Sequence, residues 1–204
     1  GAWTIMLLLI LFSRWLRSST MLLITGVMIG YLTSSVISLL NYGASEEGVR
    51  SFMVWGLGSF ANVTVDRMPA FVATMLTGIC GALLLVKPLN ALLLGEHYAA
   101  NLGINIRRTR TALLVVTGIL TATSTAFCGP IAFIGLAVPH MARLVLGSAD
   151  HRLLLPASLF TGADLALICN LISTLPTSGI IPVNVITPVL GAPVVIWVIL
   201  RKRG

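Results

Sequence analysis

Long apolar runs limit this chain more than any other feature. Stretches 68–86 and 111–127 are almost wholly apolar, and 21–40, 153–172 and 183–200 repeat the pattern. A hydrocarbon core about 30 Å thick is crossed by about 20 apolar residues in a helix, with a lower limit near 17. In lipid each run must satisfy its own backbone hydrogen bonds, so each is expected as a helix. Between the first two lies a polar interruption, 87–110, which carries a helix pattern and a tight-turn glycine: Gly95-Glu96-His97-Tyr98-Ala99-Ala100-Asn101-Leu102-Gly103-Ile104-Asn105. A short water-facing helix in such a chain is most simply explained by a partner protein in the aqueous phase.

Composition agrees. The 204 residues are 57% hydrophobic and 9% charged, whereas a soluble domain carries about 25% charged residues. The reading is an all-α integral membrane protein, a polytopic helical bundle forming one domain over 1–204. Residues 3–13 are apolar but short and are closed by Arg14 and Arg17. With no initiator Met and no leader pattern before them, they are expected to be the end of a span in a longer protein. Residues 111–146 are expected as two spans turning at Cys128-Gly129-Pro130, which brings the count to about seven. In 21–40, Gly26-x-x-x-Gly30 fits either ordinary close helix packing or a dimer seam. Asn41-Tyr42-Gly43 breaks the helix. Residues 48–60, led in by Glu46 and Glu47, are expected as a helix too short to span.

Lys and Arg placement sets the orientation. One side collects Arg14, Arg17, Lys87, Arg107, Arg108, Arg110, Arg143, Arg152, Arg201, Lys202 and Arg203, and the other only Arg50 and Arg67. The 87–110 loop, the 143–152 loop and the C-terminus are therefore expected to be cytoplasmic. The net charge of +7 is explained by this topology, without nucleic acid. No basic patch is interleaved with aromatics as single-strand binding requires.

Residues that carry chemistry are few. No G-x-x-x-x-G-K-[ST] loop is present, so ATP is not expected to bind here by that route, and no H-E-x-x-H or G-x-S-x-G pattern occurs. His97, His140 and His151 are far apart, and Cys80, Cys128 and Cys169 stand singly in or beside apolar runs. Neither set reads as a metal site or a disulfide frame. Asp164 lies near the middle of a run. An ionisable group there marks either a functional site facing a cavity or a structural hydrogen bond to a neighbouring helix. Prolines gather where spans end, at positions 130, 139, 156, 182, 188 and 193; these either mark span entry or break helices along a pathway.

The segment Gly129-Pro130-Ile131-Ala132-Phe133-Ile134-Gly135-Leu136-Ala137-Val138-Pro139-His140-Met141-Ala142-Arg143-Leu144 resembles the signature G-P-I-x-F-I-G-L-x-x-P-H-x-x-R of permeases from ABC importers for iron–siderophores, haem and cobalamin. Asp150-His151-Arg152, Leu155-Pro156, Leu190-Gly191-Ala192-Pro193 and Trp55-x-x-Gly58-Ser59-Phe60 continue the resemblance across essentially the whole chain. It implies a ten-helix permease of the bacterial cytoplasmic (inner) membrane, of which this chain resembles the C-terminal two-thirds. The permease would work as a homodimer with two ATPase subunits, which bind the ATP, and an external substrate-binding protein; no cofactor is bound by the permease itself.

Several residue roles come with the resemblance. Gly95, Glu96, Ala99, Ala100 and Gly103, in the cytoplasmic loop 88–107, match a coupling helix that seats in the ATPase, where Glu96 would pair across the interface. Ser19 and Thr20 match a cytoplasmic gate, and 21–40 with 48–60 match a pathway lining. Pro139, His140 and Arg143 belong to the cytoplasmic-face signature. Asn170 and Thr174 stand where relatives carry an acidic residue and an Arg that contacts the binding protein, and Ile180 where they carry an acidic residue. A proton- or ion-coupled secondary transporter using Asp164, and a non-transporting membrane scaffold, are the alternatives. A secondary transporter has no need of an ATPase socket.

Overall fold

The computed structural model describes residues 2–15, 19–175 and 181–201, and the regular elements among them are all helical. In chain order they are α1 (Ala2–Trp15), α2 (Ser19–Tyr42), α3 (Glu46–Gly56), a 3-10 turn (Phe60–Asn62), α4 (Met68–Leu84), α5 (Val86–Leu92), α6 (Glu96–Asn101), α7 (Ile106–Cys128), α8 (Ile134–Leu146), α9 (His151–Thr174) and α10 (Val183–Arg201). Local chemistry sets several starts. Ser45 Oγ accepts from Gly48 N at 3.3 Å ahead of α3, and Asn105 Oδ1 from Arg108 N at 3.0 Å ahead of α7. Asp150 Oδ1 accepts from Arg152 N at 2.9 Å ahead of α9. Each satisfies a backbone donor that the first helical turn leaves unpaired.

Four helices among the described residues are long and apolar enough to cross a membrane: Leu23–Tyr42, Val65–Leu84, Ile106–Cys128 and His151–Thr174. The expected count of seven is not reached on these criteria. The turn at 129–133 uses up residues that the sequence reading gave to a span, leaving α8 with 13, about 20 Å at 1.5 Å per residue. α1 is likewise short, with 14 residues, whereas α10 has 19. The polar interruption is more helical than expected. After α4 the chain bends at Leu85 and re-forms as α5. Pro88 lies in the first turn of α5, where its missing N–H leaves no intrahelical bond unmade.

The chain divides into two units, 1–54 with 69–123 and 55–68 with 124–204. In the first, glycines bring helices together. A Cβ at Gly78 would lie 2.5 Å from Leu120 Cδ2, one at Gly81 2.8 Å from Val116 Cγ2, and one at Gly118 2.5 Å from Met6 Sδ. Lipid tails are as apolar as leucine, so close van der Waals packing between small residues has to hold such helices together. The second unit has a small core of Cys169, Val183 and Ile186, flanked by Phe60, Ile131, Leu165, Ile172 and Leu190. Ala137, Val138 and Ala142 of α8 are also buried. Many large apolar side chains face outward, including Leu23, Leu32 and Leu39 on α2, as expected where lipid or another membrane helix is the solvent.

Candidate functional site

The loop 88–107 is built around α6. Gly95 precedes it with φ +104. At its end, Gly103 N donates to Ala100 O at 2.9 Å and Ile104 N to Ala99 O at 3.1 Å. This paired pattern stops a helix on a left-handed residue, and Gly103, at φ +83, supplies it. The two glycines thus fix a one-and-a-half-turn helix by backbone conformation, and a Cβ at either would meet nothing within 4 Å.

Residues of this motif point in different directions. Ala99 is fully buried, whereas Ala100, His97, Tyr98 and Leu102 are exposed. Glu96 Oε1 accepts from Arg110 Nη2 at 3.1 Å, with side chains 51% and 18% exposed respectively. The resemblance implies a pair for Glu96 across an interface; within the chain its half-exposed carboxylate also bridges to Arg110 near the start of α7. A charge fourteen residues downstream is outside helical spacing, so no sequence periodicity marked Arg110 as the partner.

The polar face of α2 lines an open cleft of about 470 Å³ in the same unit. Thr33, Ser34, Ser38, Asn41 and Phe52 contribute to it, together with Gly26 and Gly30. Thr33 Oγ1 donates to Ile29 O at 2.8 Å and Ser38 Oγ to Ser34 O at 2.9 Å. Both hydroxyl protons are therefore satisfied inside the helix, and the oxygens present acceptor lone pairs to the cleft. Of the two residues matched to a gate, Thr20 is exposed near the start of α2, and the side chain of Ser19 lies outside the described part of the structure.

Pro139 lies inside α8, which removes a donor to Gly135 O. His140 Nδ1 meets Leu136 O at 2.8 Å; a carbonyl can only accept, so this contact selects the tautomer protonated at Nδ1. Arg143 is exposed in the last turn, and Gly147 closes the helix at φ +60. Asp164 is exposed on α9 beside Phe160, Leu167 and Ile168. Thr174 Oγ1 donates to Asn170 O at 3.2 Å and Leu171 O at 3.0 Å, so its hydroxyl proton is used inside α9. Ile180 lies outside the described residues.

One residue that the sequence reading passed over is a hub. Asn184, in the first turn of α10, donates from Nδ2 to Gly56 O at 2.9 Å and Pro130 O at 2.7 Å. Its Oδ1 accepts from Ala132 N at 3.1 Å. The available signal was a lone carboxamide at the head of an apolar run just after Pro182.

Comparison with known proteins agrees with this architecture. The vitamin B12 import system permease protein BtuC of Klebsiella pneumoniae is 38% identical over 205 residues, covering 100% of this chain and 61% of that protein. BtuC of Vibrio cholerae is 40% identical over 206 residues, with 100% and 61% covered. A solved structure described as an inward-facing conformation of a metal-chelate type ABC transporter superposes with a TM-score of 0.89 at 30% identity, over 96% of this chain and 63% of that one. The chain thus spans about 61% of the length of the curated relatives it matches. The model of the FecCD transport family matches residues 1–201, and the chain belongs to that family.

Proposed function

We propose that this chain is part of the permease subunit of an ATP-driven importer that carries a metal chelate, an iron–siderophore or a cobalamin-like tetrapyrrole, across the bacterial inner membrane. The observation that carries the reading is α6. It is a short helix with an exposed polar face, fixed at both ends by left-handed glycines and tied to α7 through Glu96 and Arg110. A helix so placed is suited to pass a push from an aqueous partner into a membrane-crossing element. The partners would be a second copy of the permease, two ATPase subunits that bind the ATP, and an external binding protein. The full protein would have ten helices, seven of them represented here, with α6 and the C-terminus on the cytoplasmic side. The metal-chelate and vitamin B12 transport named for the relatives supports the cargo class.

In the mechanism, ATP-driven closure of the ATPase subunits moves α6. The permease dimer then switches between outward- and inward-facing packings as rigid bodies, each favoured by a different ligand state. The acceptor-lined face of α2 gives cargo weak polar contacts along the pathway, with Ser19 and Thr20 as the cytoplasmic gate.

The test is copurification of the full-length permease with its ATPase, comparing wild type with Gly103→Val. Gly103 has open space around it but a backbone conformation that valine avoids by about 1–2 kcal/mol, so the variant should insert normally with α6 displaced. Wild type should retain the ATPase and the variant lose most of it. Equal retention by both would move the socket away from α6.

A further inference from the structure

Three interruptions of helical structure meet in the second unit: the end of α3 with 57–59, the turn 129–133, and the start of α10. Backbone groups freed by a break inside a membrane protein must be satisfied by the protein itself. The bonds at this junction do so. Ser59 N donates to Cys128 O at 2.9 Å, Asn184 N to Leu57 O at 3.2 Å and Val183 N to Gly58 O at 3.4 Å. The Asn184 carboxamide takes Gly56 O, Pro130 O and Ala132 N. Only one orientation of the amide works, because two carbonyls face one end and an N–H faces the other. The approach is backbone on backbone: a Cβ at Gly129 would lie 2.5 Å from Trp55 O and 3.1 Å from Gly58 Cα. Phe133 closes the turn at φ +66, a conformation that a bulky residue holds only when its surroundings over-determine it.

We infer that Asn184 is a positioning residue that makes 56–59, 129–133 and 181–184 one rigid body in the transport cycle. Each partner segment alone ends a different element. The carboxamide of Asn184 joins the carbonyl of the first to both a carbonyl and an amide of the second. Two backbone bonds join 57–58 to 183–184, and one joins Ser59 to Cys128; among the described residues, the bonds from 181–184 to the 129–133 turn are those of the Asn184 side chain. With the carboxamide in place, displacement of α10's first turn carries the 129–133 turn and the α3 end with it. Asn184→Ala removes the side-chain partner of three backbone groups, of which the bond to Gly56 O is part-buried. Asn184→Asp is the more disruptive change, since it removes both donors and sets a carboxylate against two carbonyl oxygens. The inference rests on the transport reading only for its functional half.

The experiment uses the full-length permease with its ATPase subunits in lipid nanodiscs, as wild type, Asn184→Ala and Asn184→Asp. Hydrogen–deuterium exchange in peptides covering 56–59, 129–134 and 181–185 should rise together by about tenfold or more in the alanine variant and further in the aspartate variant, with α4 peptides unchanged. A rise confined to one segment, or none, overturns the rigid body. In proteoliposomes with the external binding protein, the alanine variant should import an iron–siderophore or cobalamin about fivefold less per ATP hydrolysed, with ATP hydrolysis itself within about twofold of wild type. Unchanged import per ATP despite raised exchange overturns the positioning role. Wild type that imports neither probe would count against the transport reading, and exchange would still decide whether the three segments form one rigid body.

Discussion

Gly129 and Gly118 separate two kinds of glycine contact that look alike by distance. At both, an added Cβ would come within 2.5 Å of a neighbour. At Gly118 the neighbour is the Met6 sulfur, near the end of a flexible side chain, and it can swing aside. At Gly129 it is the carbonyl of Trp55, and the backbone stands at φ +81. Gly129→Ala should therefore cost about 3 kcal/mol or more and sharply lower the yield of folded protein, against about 1 kcal/mol for Gly118→Ala. Fluorescence-detected size exclusion after heating would show it, and equal melting of the two variants would refute the distinction. Thr187 makes the opposite case. It is 2% exposed, and its hydroxyl has no hydrogen-bond partner among the described residues. Thr187→Val keeps the shape and removes the orphan, so stability should be unchanged or raised by about 1 kcal/mol. A loss above that in a thermal shift would reveal a partner for the hydroxyl.

Among the elements, the Glu96–Arg110 bridge ties the start of α6 to α7. An exposed pair of this kind adds only about 0.2–1 kcal/mol of stability, so its value lies in direction. Glu96→Arg and Arg110→Glu should each lower transport by about fivefold with membrane insertion intact, and the double reversal should recover most of it, because the pair is restored with its ends exchanged. If Glu96 instead met the ATPase directly, the double variant would stay as impaired as the single ones. A helix cap offers a separate check. Asp150→Ala removes the acceptor that holds Arg152 N, and should destabilise the start of α9 by about 1 kcal/mol, seen as faster exchange in peptides covering 150–156.

For the molecule as a whole, Asp164 separates the proposed ATP-driven permease from an ion-coupled transporter. It is exposed on α9 among apolar side chains, where a carboxylate raises the cost of membrane insertion by about 2.5–3.5 kcal/mol. If the protein works as an ATP-driven permease, Asp164→Asn should leave import within about twofold of wild type and insert at least as well. A loss of import that tracks a loss of proton dependence would favour ion coupling. The run lengths, the basic asymmetry and the Gly129-to-Leu144 signature were enough to determine an all-helical membrane protein and its family, because hydropathy, charge and a fixed motif are local properties. The same local signals could not show that the turn at 129–133 would shorten α8. Nor could they show that Ala99 turns inward beside an exposed Ala100, that Arg110 bridges to Glu96 within the chain, or that Asn184 gathers three breaks. Those outcomes depend on which backbone groups the helix breaks leave unpaired and which side chain is near enough to reach them, and only the packed chain decides that.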